Sequence, residues 1–268
     1  GSQETRKVDR GMAYDMSGRQ PALLVLEDGT AYRGYSFGAE GEFFGEICFN
    51  TGMAGYQEML TDPSGSGQIV NMTYPLVGNY GVNPEDFESV KVRVGGLVVR
   101  ESSRIFSNWR ADAGLDGFLA KNGVVGLEGL DTRALTRHIR AKGEMGGAIS
   151  SVDLDRDSLL ARLEQAPGLA GLDLVKEVTT DEPYVLDEEE CGGDRLNVAA
   201  YDFGVRRSEL RRLAGLGCRT TVLPARATAE EVLALAPDGV FLSSGPGDPA
   251  AVTYAVENIS RLLGIKPI

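Results

Sequence analysis

The residues best suited to chemistry in this chain form a loop, Ser244-Gly245-Pro246-Gly247-Asp248-Pro249. Two glycines around a proline make a rigid turn whose backbone N–H groups no side chain shields. Such groups at a strand end can hold a carboxylate or a developing oxyanion. The ordinary structural alternative is a plain tight turn. Nucleophiles and bases are scarce. The chain has one histidine, His138, and three cysteines, Cys48, Cys191 and Cys218. Any Ser/His/Asp or Cys/His centre would have to use His138. That residue falls on a predicted helix face with Leu135 and Ile139, where a structural role is expected. The cysteine spacing matches no zinc site, and an odd count argues against a disulfide framework. Each cysteine reads as a small buried hydrophobe.

The elements that position the loop follow from sequence pattern. Leu196-Asn197-Val198-Ala199-Ala200-Tyr201-Asp202-Phe203 is nearly continuously apolar, as a buried parallel strand is. A helical stretch carries Leu210, Leu213 and Ala214 and ends before Gly217. A strand from Cys218 to Leu223 stops at Pro224. Thr228 and Glu231 form a capping box that opens a helix through Ala236. A third strand, Gly239 to Ser243, runs straight into the glycine loop, and a helix follows over roughly 250–263. This βαβαβα order predicts an open doubly wound sheet, which binds ligands beyond the carboxyl ends of its strands. Asp202-Phe203-Gly204 and Gly245-Pro246-Gly247 both lie at such ends.

The preceding residues are mixed, strand-rich and punctuated by glycine. The chain has 35 glycines in 268 residues, well above the usual share of about 7%. A strand over Ala22–Leu26 meets the hairpin signal Asp28-Gly29. Further strands are predicted from Gly45 to Asn50, from Gln68 to Tyr74 and over 94–99. Asp131 caps a helix that Gly143 stops, and a second helix runs from Asp157 to Ala166. Asp62-Pro63-Ser64-Gly65 is turn chemistry. Residues 1–20 read as a leader or frayed terminus, 21–178 as a first domain and 179–195 as a linker. The linker holds the acidic run Asp187-Glu188-Glu189-Glu190. Residues 196–268 then form the first part of an α/β domain. The formal net charge of −12 argues against a bare nucleic-acid or anionic-membrane surface. There is neither a membrane-length apolar run nor a secretory h-region, and a cytoplasmic setting is the simplest expectation.

The block Leu242-Ser243-Ser244-Gly245-Pro246-Gly247-Asp248-Pro249 resembles the glycine loop of class I glutamine amidotransferases. Tyr201-Asp202-Phe203-Gly204 is similar to one branch of them, the small subunits of carbamoyl phosphate synthetases. The first half resembles that branch too. It does so through Leu24 to Thr30, Phe49-Asn50-Thr51-Gly52-Met53-Ala54-Gly55-Tyr56-Gln57-Glu58 with Thr61-Asp62-Pro63-Ser64, Asp131 to Arg137, and Lys176-Glu177-Val178. The resemblance spans about 22–268 and keeps its order.

It implies an amidotransferase subunit that hydrolyses L-glutamine through a cysteine thiolate aided by a His and a Glu. Its ammonia passes to a large synthetase subunit, which uses bicarbonate and ATP to make carbamoyl phosphate for arginine and pyrimidine biosynthesis. ATP and Mg are then expected in the large partner and no cofactor in this subunit. By the same resemblance Ser64 and Gly247 contact the glutamine and Gly245 donates its N–H to the oxyanion. The family nucleophile sits in a Gly-x-Cys-x-Gly elbow after the next strand. None of the three cysteines lies in such an elbow, so no catalytic residue is expected within the chain. The 268-residue polypeptide is expected to be inactive alone, and marginally stable in its C-terminal part. The family's usual Lys and Asn after the Tyr-Asp-x-Gly stretch are here Arg206 and Ser208. Arg keeps the charge but presents a planar fork. A non-catalytic scaffold subunit that docks a large partner is the alternative. A nucleotide- or flavin-binding reading ranks lower, because Gly-x-Gly-x-x-Gly spacing and a Walker lysine are both missing.

Overall fold

A computed structural model of the chain describes residues 18–166, 168, 171–186 and 195–268. The leader through residue 17, Cys191 and the acidic run 187–190 lie outside the described residues.

Seven strands of the first half close into a barrel: β1 (Pro21–Leu26), β2 (Ala31–Gly38), β3 (Glu42–Asn50), β4 (Gln68–Met72), β6 (Gly96–Val98), β8 (Val125–Glu128) and β9 (Met145–Ser150). Their order around the barrel is β1-β2-β8-β6-β4-β3-β9. Short strands β5 (Leu76–Val77) and β7 (Glu101–Ser102) pair beside it. The hairpin signal at Asp28-Gly29 joins β1 to β2 in antiparallel register, Leu24 opposite Tyr32. Period-2 alternation along β1 then divides the core. Leu24 and Leu26 join Ile47, Ile69, Val98, Leu127 and Ile149 in a cluster drawn from the barrel strands. Leu23 and Val25 face the other way, under Leu159 and Leu163 of α4 (Arg156–Gln165).

The helices α1 (Tyr56–Thr61), α2 (Leu115–Lys121) and α3 (Thr132–Lys142) complete this unit. Helix α3 starts where Asp131 Oδ1 accepts from Ala134 N, and Gly143 follows its last residue, as the sequence predicts. Leu135 and Ile139 enter the barrel cluster, while His138 Nε2 meets Asp28 Oδ2 at 2.8 Å. The histidine is thus engaged at the hairpin turn. Closure into a barrel was not visible in the sequence, because strand pairing across 100 residues leaves no local pattern.

The second half forms a sheet of order β10-β12-β11-β13. Its strands are β10 (Tyr184–Leu186), β11 (Leu196–Asp202), β12 (Cys218–Pro224) and β13 (Gly239–Leu242). β11 pairs in parallel with β12 and β13. Helices α5 (Arg207–Gly215), α6 (Ala229–Ala234) and α7 (Thr253–Leu262) alternate with the strands. The predicted capping box opens α6, with Thr228 Oγ1 accepting from Glu231 N. The stretch 179–195, read as a connection, contributes the edge strand β10, antiparallel to β12. Its Tyr-Val-Leu is too short to register as a strand against the polar residues around it. After α7 the chain returns along β13, where Val240 N donates to the Pro267 carbonyl at 2.8 Å. Among the described residues no helix is long and apolar enough to cross a membrane.

The layer between the barrel strands and α2 is a large part of the core of the first unit. Leu97 is fully buried against the α2 side of the barrel. Leu97→Ala is expected to cost about 2–5 kcal/mol, read as a lower urea midpoint with an unchanged m-value.

Candidate functional site

Three loops from the two halves meet at one point. The first is Asp62-Pro63-Ser64 from the barrel unit. Asp62 Oδ1 accepts from Ser64 N at 2.9 Å and from Ser64 Oγ at 2.7 Å. This is an Asx turn, the local geometry that Asp before Pro-Ser favours. The second loop follows β11. Asp202 is buried, and its Oδ1 accepts from Gly204 N and Val205 N at 3.0 and 2.8 Å. Its Oδ2 accepts from Thr180 N at 2.8 Å. Burial pushes the Asp202 carboxyl above its ordinary range, and those three N–H donors, with Arg93, pull it back. The third is the glycine loop after β13. Ser243 Oγ accepts from Phe203 N at 2.9 Å and donates to the Ser244 carbonyl at 2.9 Å. One hydroxyl therefore ties the second loop to the third.

Glycine is required where the loops touch. Gly204 has φ +131°, and a Cβ there would lie 2.9 Å from Pro63 Cβ and 3.4 Å from Gly245 Cα. A Cβ on Gly245 would collide with the Phe203 carbonyl oxygen. Gly247 has φ +75°, the left-handed region that L side chains rarely adopt. Gly245 and Gly247 are exposed, and their N–H groups donate to nothing among the described residues. The loop thus presents two unshielded donors, as its sequence predicts.

Ser64, Gly245 and Gly247 line one cleft of about 1030 Å³ between the two halves. Residues 181 positions apart in the sequence thereby come together. The barrel side of this cleft carries Glu27, Glu46, Glu144 and Glu164. Burial raises the Glu46 carboxyl above its ordinary range, and Glu144 adds to the shift. A wall of carboxylates suits a ligand with an ammonium group at that end. The Ser64 hydroxyl gives its one proton to Asp62, so it meets a ligand only with lone pairs. It is built to accept from a donor such as an ammonium.

Arg206 lies behind Ser64. Its Nη2 and Nε donate to Glu209 Oε1 at 2.7 and 3.2 Å, and its Nη1 lies 3.6 Å from Asp62 Oδ2. The Glu209 bonds hold the guanidinium more firmly charged than usual. The planar fork spans Glu209 and Asp62, one group on each half of the chain, which a point charge does less well. Ser208, the other departure from the family pattern, donates its backbone N–H to Glu88 Oε2 at 2.9 Å, and Arg207 N donates to the Glu88 carbonyl at 3.0 Å. Glu88 thus caps α5 from the barrel unit, a contact that sequence reasoning missed because the two partners are 120 positions apart. Asp62 was legible as a turn residue, but not as the support of Ser64.

The two described cysteines, Cys48 and Cys218, stay away from this site. Cys48 lies in β3, its thiol donating to Gln68 Oε1 at 3.3 Å. Burial, with Glu46 nearby, pushes that thiol up to about 12. Cys218 begins β12, at the end of the sheet opposite the glycine loop. Among the described residues no group of three or more His, Cys, Asp or Glu is placed to hold a metal ion.

The open parallel sheet with this loop marks the second half as part of a class I glutamine amidotransferase, and that family model matches residues 199–268. The model for the carbamoyl-phosphate synthase small chain, CPSase domain, matches residues 24–149. A carbamoyl phosphate synthase small chain from Syntrophotalea carbinolica is 52% identical over 257 residues, covering 92% of this chain and 68% of the relative. Small chains from a Synechococcus sp. and from Chlorobaculum tepidum are 51% and 50% identical. They cover 94% and 90% of this chain, and 66% and 65% of their own lengths. The chain belongs to the carbamoyl phosphate synthase small chain family, and it spans about two thirds of the length of these relatives. A solved aminopeptidase from Aneurinibacillus sp. strain AM-1 aligns with a TM-score of 0.27 at 10% identity, over 83% of this chain and 59% of its own. That score is too low to bear on the fold.

Two outcomes test this geometry. Gly204→Ala is expected to destabilise the chain by about 1–3 kcal/mol, because the new methyl meets Pro63 in a left-handed residue; denaturant unfolding measures it. Cys48 is expected to resist iodoacetamide at pH 8 in the folded chain and to react on unfolding, followed by mass spectrometry.

Proposed function

We propose that this chain is the glutamine-handling part of a carbamoyl phosphate synthase small subunit. The observation that carries the reading is the convergence of Ser64, Gly245 and Gly247 on one cleft. On this reading Ser64 Oγ accepts from the ammonium of L-glutamine, and Gly247 N–H contacts the bound substrate. Gly245 N–H points at the side-chain carbonyl and stabilises the oxyanion that forms when a thiolate attacks it. The thiolate, with its His and Glu, is not one of the residues placed here. It belongs to the Gly-x-Cys-x-Gly elbow that follows the next strand in this family. The position of Pro267 alongside β13 is where such a strand would begin.

Attack on the amide carbon would form a thioester and release ammonia. Water would then free glutamate and regenerate the thiolate. The ammonia would pass to a large partner subunit, where ATP and Mg would support carbamoyl phosphate formation for arginine and pyrimidine biosynthesis in the cytoplasm. The subunit pair would be a heterodimer.

The 268-residue chain is expected to release no ammonia from glutamine above background. A form continuing through the Gly-x-Cys-x-Gly elbow is expected to do so. In that longer form the methyl of Gly245→Ala meets the Phe203 carbonyl oxygen and moves the backbone N–H off the oxyanion, which should lower kcat by up to about 10²–10³-fold, the usual cost of losing one oxyanion donor. Steady ammonia release by the shorter chain, or an unchanged kcat in the variant, would overturn the reading.

A further inference from the structure

A second cleft, of about 750 Å³, opens at the joint between the two halves and shares no lining residue with the first. It lies between Glu88–Arg93 of the barrel unit, the connection through Thr179 and Tyr184, and α5. Four cations line it: Lys91 and Arg93 from the barrel unit, Arg207 and Arg211 from α5. Four cations in one place are unexpected in a chain of net charge −12.

Their bonding is more informative than their number. Arg93 is half-buried. Its Nε donates to Ser89 Oγ at 3.1 Å and its Nη1 to the Glu177 carbonyl at 3.1 Å. Burial pulls the Arg93 guanidinium below its ordinary range, although the charges of Asp202 and Glu177 act the other way. Arg211 reaches only the Glu85 carbonyl, at 3.4 and 3.5 Å. Among the described residues, none of the four forms an ion pair with a carboxylate.

The carboxylates in the same cleft are already used. Asp202 holds three backbone N–H groups, and Glu88 caps α5. Glu177 is exposed to solvent. Four cations face three carboxylates in this cleft, Glu88, Glu177 and Asp202, and two of those carboxylates already hold backbone N–H groups, so the cations can still take an incoming anion. Arg forks and a lysine match the oxygens of a phosphate group. Tyr184, Val205 and Leu210 supply an apolar flank, and the volume falls in the range of small-molecule sites.

We propose that this cleft binds a small organic phosphate, with Arg93 and Arg207 gripping the phosphate from opposite halves of the chain. A ligand held so would bridge the barrel unit and α5 and fasten the joint that supports the glycine loop.

Isothermal titration of the full chain with pyrophosphate, using succinate as a carboxylate control, tests this at fixed ionic strength. Pyrophosphate is expected to bind saturably at one site and at least about tenfold more tightly than succinate. Arg207→Gln, on an exposed side chain, should weaken binding about tenfold or more. Lys91→Ala should weaken it by a smaller factor, and it keeps the test valid if Arg207→Gln folds poorly. Absence of saturable binding, equal binding of succinate, or unchanged affinity in both variants would overturn the proposal.

Discussion

The Asp62 carboxylate is the group on which the site depends. One of its oxygens accepts both the backbone N–H and the hydroxyl of Ser64. The other faces Arg206 across the joint between the two halves. A single side chain thus sets the conformation of the serine loop, orients the serine lone pairs and holds the loop to α5. The distances make this more than a surface ion pair. Hydrogen bonds to a charged acceptor are about twice as strong as neutral ones, whereas a partly exposed pair at 3.6 Å contributes little alone. The local Asx turn therefore carries the geometry, and the Arg206 contact registers it against the sheet.

Close packing does the rest. A Cβ on Gly204 would press on Pro63 and one on Gly245 would collide with the Phe203 carbonyl oxygen, so only glycine fits at these two positions. This explains why the glycine loop keeps free N–H groups. Its backbone packs against Phe203, and Ser243 ties it to the loop after β11. The polar pieces of the joint follow the same economy. Asp202 satisfies three N–H groups of loop and connection, and Glu88 satisfies two at the start of α5.

Much of the second half was legible in sequence because its signals are local. The apolar run before Asp202, the capping box at Thr228 and Glu231, and a glycine loop after a short strand each fix an element within about ten residues. The serine loop was legible as a turn for the same reason. What joined these pieces was not legible by pattern. Ser64 and Gly245 are far apart in the chain, and only the family resemblance paired them before the fold did. The barrel closure, the strand β10 and the Glu88 cap all rest on long-range pairing, for which a single sequence carries no periodic trace. The two departures at Arg206 and Ser208 became interpretable only once their partners across the joint were known.

The central claim is that Ser64, Gly245 and Gly247 form one glutamine-binding cleft. Backbone amide resonances of the ¹⁵N-labelled full-length protein, followed during titration with L-glutamine, address it most directly. The account predicts that the Gly245 and Gly247 amides shift together and saturably, with a parallel change at Ser64. It is contradicted if glutamine binds while those three signals stay in place.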